Sequence, residues 1–140
     1  MRYLLDTNII SEVTKAEPSQ HVLQWMAAQD DRDLYLSSLT IAEIWRGILE
    51  KPDGKAKDRL STWFHGSEGP AALFAGRILF FCDRAALSWA KFMADGRKAG
   101  RPRSALDMII AAVADVNDCV VVTRNEKDFA GLKFFNPQKS

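Results

Sequence analysis

The chain has only two histidines and two cysteines among its 140 residues. Cys82 and Cys119 lie far apart in apolar runs, with no C-x-x-C and no third thiolate or imidazole beside either. That pattern encodes neither a zinc site nor a thioredoxin-type redox centre, and both thiols read as buried small hydrophobes in a reducing cytosol. His21 and His65 have no neighbours suited to a triad or a metal and read as surface or helix-face residues. There is no G-x-x-x-x-G-K and no G-x-G-x-x-G, which disfavours nucleotide-triphosphate and dinucleotide binding. No apolar run approaches the ~18 residues of a membrane span, and the N-terminus opens straight into a strand. Nor is there an excess of one charge: 19 basic against 18 acidic residues give +1, which excludes a uniformly basic nucleic-acid binder but not a local patch. The chain reads as one cytoplasmic domain, residues 1–140, large enough to bury a core without staples.

What the sequence does have is strands alternating with helices. Tyr3-Leu4-Leu5 is an apolar run without alternation, as in a strand buried on both faces, and it ends abruptly at Asp6. Leu34 to Ser38, Ile78 to Cys82, Cys119 to Thr123 and the short Lys133 to Phe135 read as further strands. Between them, helices are expected from Asn8 to Val13, from Ser19, from Thr40, over about 55–65, over 85–98 and over 104–116. The last has few polar residues and should be largely buried. Trp25, Trp45, Trp63 and Trp89 fall in apolar helical stripes and read as core rather than as base-stacking platforms. The alternation predicts an α/β fold: a three-layer sandwich with a central, mainly parallel sheet of four or five strands.

In such a sheet, residues just past the C-terminal ends of the strands converge even when distant in sequence. Asp6 follows the first strand, Glu43 lies on the first turn of the helix after the second, and Asn125 follows the Val-rich strand. Asp107 sits one turn into the apolar helix, among Ala105, Leu106, Met108 and Ile109, where a charge needs a partner. A purely structural account competes: Thr40-x-x-Glu43, Ser104-x-x-Asp107 and Thr123-x-x-Glu126 all fit capping boxes. The two accounts are compatible, because a helix N-terminus keeps a carboxylate ionised. Gathered carboxylates repel unless a cation sits among them, and an all-oxygen set suits Mg²⁺ or Mn²⁺ rather than zinc. Such a site points to phosphate chemistry. Arg97, Lys98, Arg101 and Arg103 lead into Asp107, and Arg124 and Lys127 flank Asn125, as a solvated loop or as a track for a phosphate backbone.

The stretches Leu4-Leu5-Asp6-Thr7-Asn8-Ile9-Ile10-Ser11, Ser38-x-x-x-Ala42-Glu43, Ala105-Leu106-Asp107-x-x-Ile110-Ala111-Ala112 and Val122-Thr123-Arg124-Asn125-x-x-Asp128-Phe129 resemble the successive motifs of PIN-domain proteins. Within that family the chain is most similar to VapC-type toxins of toxin–antitoxin pairs, including the FitB-like branch, which Phe74-Ala75-Gly76-Arg77 and Phe135-Asn136-Pro137 also resemble. The resemblance runs from Leu4 to Pro137. It implies a Mg²⁺- or Mn²⁺-dependent endoribonuclease, homodimeric, silenced by a VapB-like DNA-binding antitoxin and joined with it on operator DNA. By the same resemblance Asp6 and Asp107 hold the ion, Glu43 ligates it or orients the attacking water, and Asn8 and Thr123 support them by hydrogen bonds. Asn125 stands where relatives often carry a fourth acid, with Asp128 three residues on. Arg101, Arg103 and Arg124 are the expected RNA contacts, and cleavage would leave a 5′-phosphate and a 3′-hydroxyl. Two other readings stay open. One is a phosphatase with Asp6 as nucleophile, although Asn8 stands where such enzymes place a second acid. The other is a non-catalytic module that binds an antitoxin and, through it, DNA.

Overall fold

The computed structural model describes residues 1–139. Five strands form one sheet: β1 (Arg2–Leu5), β2 (Leu34–Ser37), β3 (Ile78–Leu79), β4 (Cys119–Val122) and β5 (Phe134–Phe135). Their spatial order is β3-β2-β1-β4-β5, and every pairing is parallel. The helices are α1 (Thr7–Ile10), α2 (Gln20–Ala28), α3 (Ser38–Leu49), α4 (Lys55–His65), α5 (Pro70–Leu73), α6 (Asp83–Lys98) and α7 (Ala105–Val116).

Alternate side chains of the central strands feed two cores, one on each face of the sheet. Leu4 and Val121 join Met108, Ile110, Val113 and Phe129 beneath α6 and α7. Leu5, Leu34, Leu36 and Val122 join Ile9, Val22, Ile44, Ile48 and Leu60 beneath α1 to α4. This is the expected three-layer sandwich. Its apolar helix α7 is buried as its composition required, with Met108 and Ala112 fully covered. The chain lays down β1, β2 and β3 to one side, then crosses back to add β4 and β5 on the other. The switch point therefore falls between β1 and β4, where Leu5 pairs with Val122. Open parallel sheets bind ligands at the carboxyl ends of strands flanking such a point.

Several local expectations are corrected. Ile78 to Cys82 is a strand only at Ile78–Leu79, because β2 turns into α3 after Ser37 and offers two register partners, Leu36 and Ser37. Beyond them Phe80 (68% exposed) and Phe81 (41%) have no neighbouring strand, and Cys82 is exposed rather than buried. Helix α3 begins at Ser38, not Thr40, since the strand feeds it without a loop and the Ser37 hydroxyl caps it by accepting from the Thr40 N–H at 3.2 Å. Glu43 is thus deeper in the helix than its capping pattern suggests. The short helix α5, with Pro70 at its first position, occupies the end of a predicted loop.

Candidate active site

The site grows from the end of β1. Asp6 is both the last residue before α1 and its N-cap: its Oδ1 accepts from the Thr7 N–H at 2.8 Å. Its Oδ2 accepts from the Thr123 hydroxyl at 2.8 Å, across the β1–β4 seam. Thr123 is fully buried, and its Oγ1 also receives the Asn125 N–H at 3.0 Å and the Asn8 side-chain amide at 3.3 Å. The expected capping box from Thr123 to Glu126 does not form. The hydroxyl is spent on Asp6, while Glu126 pairs with Lys139 and Asn136. Asn8 extends the network by accepting from the Arg124 N–H at 3.2 Å. Two strand ends, remote in sequence, are thereby tied into one polar unit.

Glu43 reaches the unit from α3, its Oε1 accepting from the Thr7 hydroxyl at 2.8 Å. Asp107 comes from the first turn of α7, where the Ser104 hydroxyl caps the helix by accepting from the Asp107 N–H at 3.3 Å. Asp6, Asn8, Glu43, Asp107, Arg124 and Asn125 line one cavity of about 380 Å³. A further acid, Asp128, belongs to the same electrostatic unit. It accepts from the Asn125 side-chain amide and acts on both Asp6 and Asp107.

Burial pushes the Asp6 carboxyl up; the Thr123 and Thr7 hydrogen bonds pull it back, and the charges of Glu43 and Asp128 raise it again. Asp107 is pushed up to about 6, first by burial, then by the charges of Asp6 and Asp128. The two cations that line the cavity, Lys15 and Arg124, pair with Glu12 rather than with either acid. These are the electrostatics of a carboxylate cluster that lacks its counter-charge. The donors are oxygen throughout, which suits a hard divalent cation. Among the described residues no three His, Cys, Asp or Glu side chains close into a ready-made cage. Asp6 and Asp107, the two that would hold such an ion, line the one cavity, and Mg²⁺ ordinarily keeps several waters when it binds.

The three arginines expected at the site have different fates. Arg124 lines the cavity, but its guanidinium is held by Glu12, a residue the sequence did not single out. Glu12 is 3% exposed, accepts from the Ser19 N–H at 2.7 Å and pairs with Lys15 at 2.9 Å. Its carboxyl is held below the usual range, mainly by Lys15. Arg103 donates to the Phe92 carbonyl at 3.0 Å, with its guanidinium 6.0 Å from that ring's centroid. Arg101 and Arg103 line a neighbouring cavity that includes Lys127 and Asp128 rather than Asp6.

A parallel sheet whose switch point carries this oxygen-rich cluster is the architecture of a known nuclease-type fold, and residues 3–134 match the PIN domain family, to which the chain belongs. Among curated proteins it is 41% identical to the plasmid stability protein StbB of Pseudomonas syringae pv. tomato and 40% identical to the VapC ribonuclease Y4jK of Sinorhizobium fredii. It is 37% identical to the toxin FitB of Neisseria gonorrhoeae, and each of these three alignments covers 96% of both proteins. A solved structure of FitAB bound to an IR36 DNA fragment superposes with a TM-score of 0.89 at 36% identity, over 97% of this chain and 95% of that one.

Proposed function

We propose that this protein is a Mg²⁺- or Mn²⁺-dependent endoribonuclease and the toxin of a toxin–antitoxin pair. The observation that carries the reading is the crowding of Asp6, Glu43, Asp107 and Asp128 at the switch point of the sheet, with Asp107 pushed to about 6 and the cations that line the cavity, Lys15 and Arg124, paired with Glu12 instead. Membership of the PIN domain family, with relatives named as a VapC ribonuclease and a toxin, supports the same conclusion.

In this reading Asp6 and Asp107 hold the ion, and Glu43 adds a ligand or orients water. When bound, the ion polarises a phosphodiester oxygen and lowers the pKa of an attacking water. The remaining work falls to the chain. Thr7 N–H and the Thr123 hydroxyl fix both Asp6 oxygens, so that the carboxylate is oriented before substrate arrives. Asn8 locks Thr123 to the following loop. Glu43, anchored through Oε1 by Thr7, presents its other oxygen to the water and takes its proton. The water oxygen bonds to phosphorus, the bond to the 3′-oxygen breaks, and that oxygen takes a proton from solvent, leaving a 5′-phosphate and a 3′-hydroxyl. The Asn125–Asp128 pair occupies the fourth corner by hydrogen bonding to itself, which favours one ion rather than two.

The partners follow from the same reading: a VapB-like antitoxin that silences the enzyme, a second copy in a homodimer, and operator DNA reached through the antitoxin. The site of action is the cytoplasm. Purified protein should cut single-stranded RNA in Mg²⁺ or Mn²⁺, fall silent in EDTA, and stay silent as Asp6→Asn or Asp107→Asn. Parental cleavage by either variant, or no cleavage under any divalent ion, would overturn the assignment.

A further inference from the structure

A second, larger cavity of about 630 Å³ adjoins the carboxylate site and shares Thr7, Ser11, Lys15 and Glu43 with it. Its far wall is made by α3 and α4 together with the residues that link them. Ile44, Ile48, Leu60 and Trp63 provide an apolar face, and Lys51 and Arg59 stand on it. Among the described residues neither the Lys51 nor the Arg59 side chain makes a hydrogen bond or ion pair, unlike those of Arg103 and Arg124, which are committed to Phe92 and Glu12. In a protein of net charge +1, attraction for a polyanion has to come from such local, uncommitted cations.

Gly47 adds an independent observation. It lies in the interior of α3, where glycine costs about 0.5–1 kcal/mol relative to alanine. Its φ is not positive, and a Cβ built there would meet nothing within 4 Å. Neither backbone conformation nor packing therefore calls for glycine. The residue lines the cavity and keeps its floor open to a close-approaching ligand.

We propose that this cavity is a nucleotide subsite for the single strand of RNA running away from the scissile phosphate. Lys51 and Arg59 take backbone phosphate, and the Trp63 wall takes a base over the gap left by Gly47. The inference rests on the ribonuclease reading. Continuity with the acid site favours RNA over an acidic peptide, because a strand whose phosphate lies against Thr7 and Glu43 has its neighbouring nucleotide in this cavity. Phosphate-binding cationic side chains beside an apolar or aromatic platform are also how unpaired strands are held.

Two variants test it from opposite directions, using the full chain and a twelve-nucleotide single-stranded RNA. The double variant Lys51→Ala, Arg59→Ala should lower kcat/KM about ten- to a hundred-fold, with the loss in KM. On an Asp6→Asn background, which binds without cutting, the same pair should reduce the salt slope of RNA binding by about 1.4, or about 0.7 for each phosphate no longer neutralised. Gly47→Met should raise the melting temperature through helix propensity yet raise KM by about ten-fold or more by filling the floor. A control pair on α6, Arg84→Ala with Lys91→Ala, should leave the slope alone. Parental KM and salt slope in both test variants, with RNA still cut, would overturn the subsite and leave the nuclease reading standing. If the wild type neither cuts nor binds RNA, both fall. If the variants keep RNA affinity but lose binding of an oligoglutamate peptide, the cavity is a peptide groove and the proposal is wrong.

Discussion

Asp107→Asn removes the burial and like-charge penalty that the site places on one carboxylate. Burial, then Asp6 and Asp128, hold this carboxyl at about 6 against an ordinary 3.8. A carboxyl raised on folding binds more protons in the folded than in the unfolded state. Stability therefore falls as pH climbs from about 4 through about 6, and is constant above. The whole difference corresponds to about 3 kcal/mol at neutral pH. Asp107 is only part-buried, so solvent screening leaves an expected penalty of about 1–2 kcal/mol. The neutral isostere removes it and keeps the Ser104 cap, which depends on the backbone N–H. At pH 7.5 in EDTA the variant should melt about 3–6 °C above its parent. Its stability should also vary less between pH 4.5 and 6.5. That window avoids the acid range in which Glu12, whose carboxyl is lowered on folding, gives up its own stabilising contribution. Thermal unfolding by circular dichroism at several pH values, with and without Mg²⁺, reads all of this, and the ion should stabilise the parent more than the variant. A variant less stable than its parent at pH 7.5, with the same pH slope, would refute the electrostatic account.

Thr123→Val keeps the volume but removes the hydroxyl that serves Asp6, Asn8 and Asn125. It should cost about 2–3 kcal/mol in urea unfolding and move the acid limb of the cleavage profile to higher pH, because the Asp6 carboxyl loses a hydrogen bond that lowers it. Thr40→Val acts in the opposite sense. The Thr40 hydroxyl is fully buried with no hydrogen-bond partner among the described residues, so the variant should gain about 1 kcal/mol by the same measurement. Gly69→Ala should destabilise by about 2 kcal/mol or more, since a Cβ there would lie 2.1 Å from the Phe64 carbonyl oxygen and the backbone must shift. A melting temperature equal to the parent's would show that the α4–α5 junction yields freely.

The amino-acid sequence by itself determined the alternation of strands and helices, and hence the parallel sheet. Unbroken apolar runs such as Leu4-Leu5 and Cys119 to Val122 can be satisfied only by burial on both faces. It also pointed to Asp6, Glu43 and Asp107, because each stands where such an element ends or a charge enters an apolar stretch. These signals are local, acting over a few residues, and local competition also explains the misplaced boundaries. Ser37 displaced Thr40 as cap because the strand ran directly into the helix. Apolar Phe80 and Phe81 failed to extend β3 because no strand remained to pair with them. Tertiary structure alone decided what lies across the β1–β4 seam. It committed the Thr123 hydroxyl, expected both as a cap and as a support of the acids, to Asp6, and it brought Asp128 into the acid cluster. It also committed Arg124 to the buried Glu12, and Arg103 to Phe92, while leaving the Lys51 and Arg59 side chains uncommitted in the adjoining cavity. Each of these depends on which strand ends the register sets side by side, over separations of up to 117 residues. No periodicity or capping pattern carries information over that distance; only the folded sheet does.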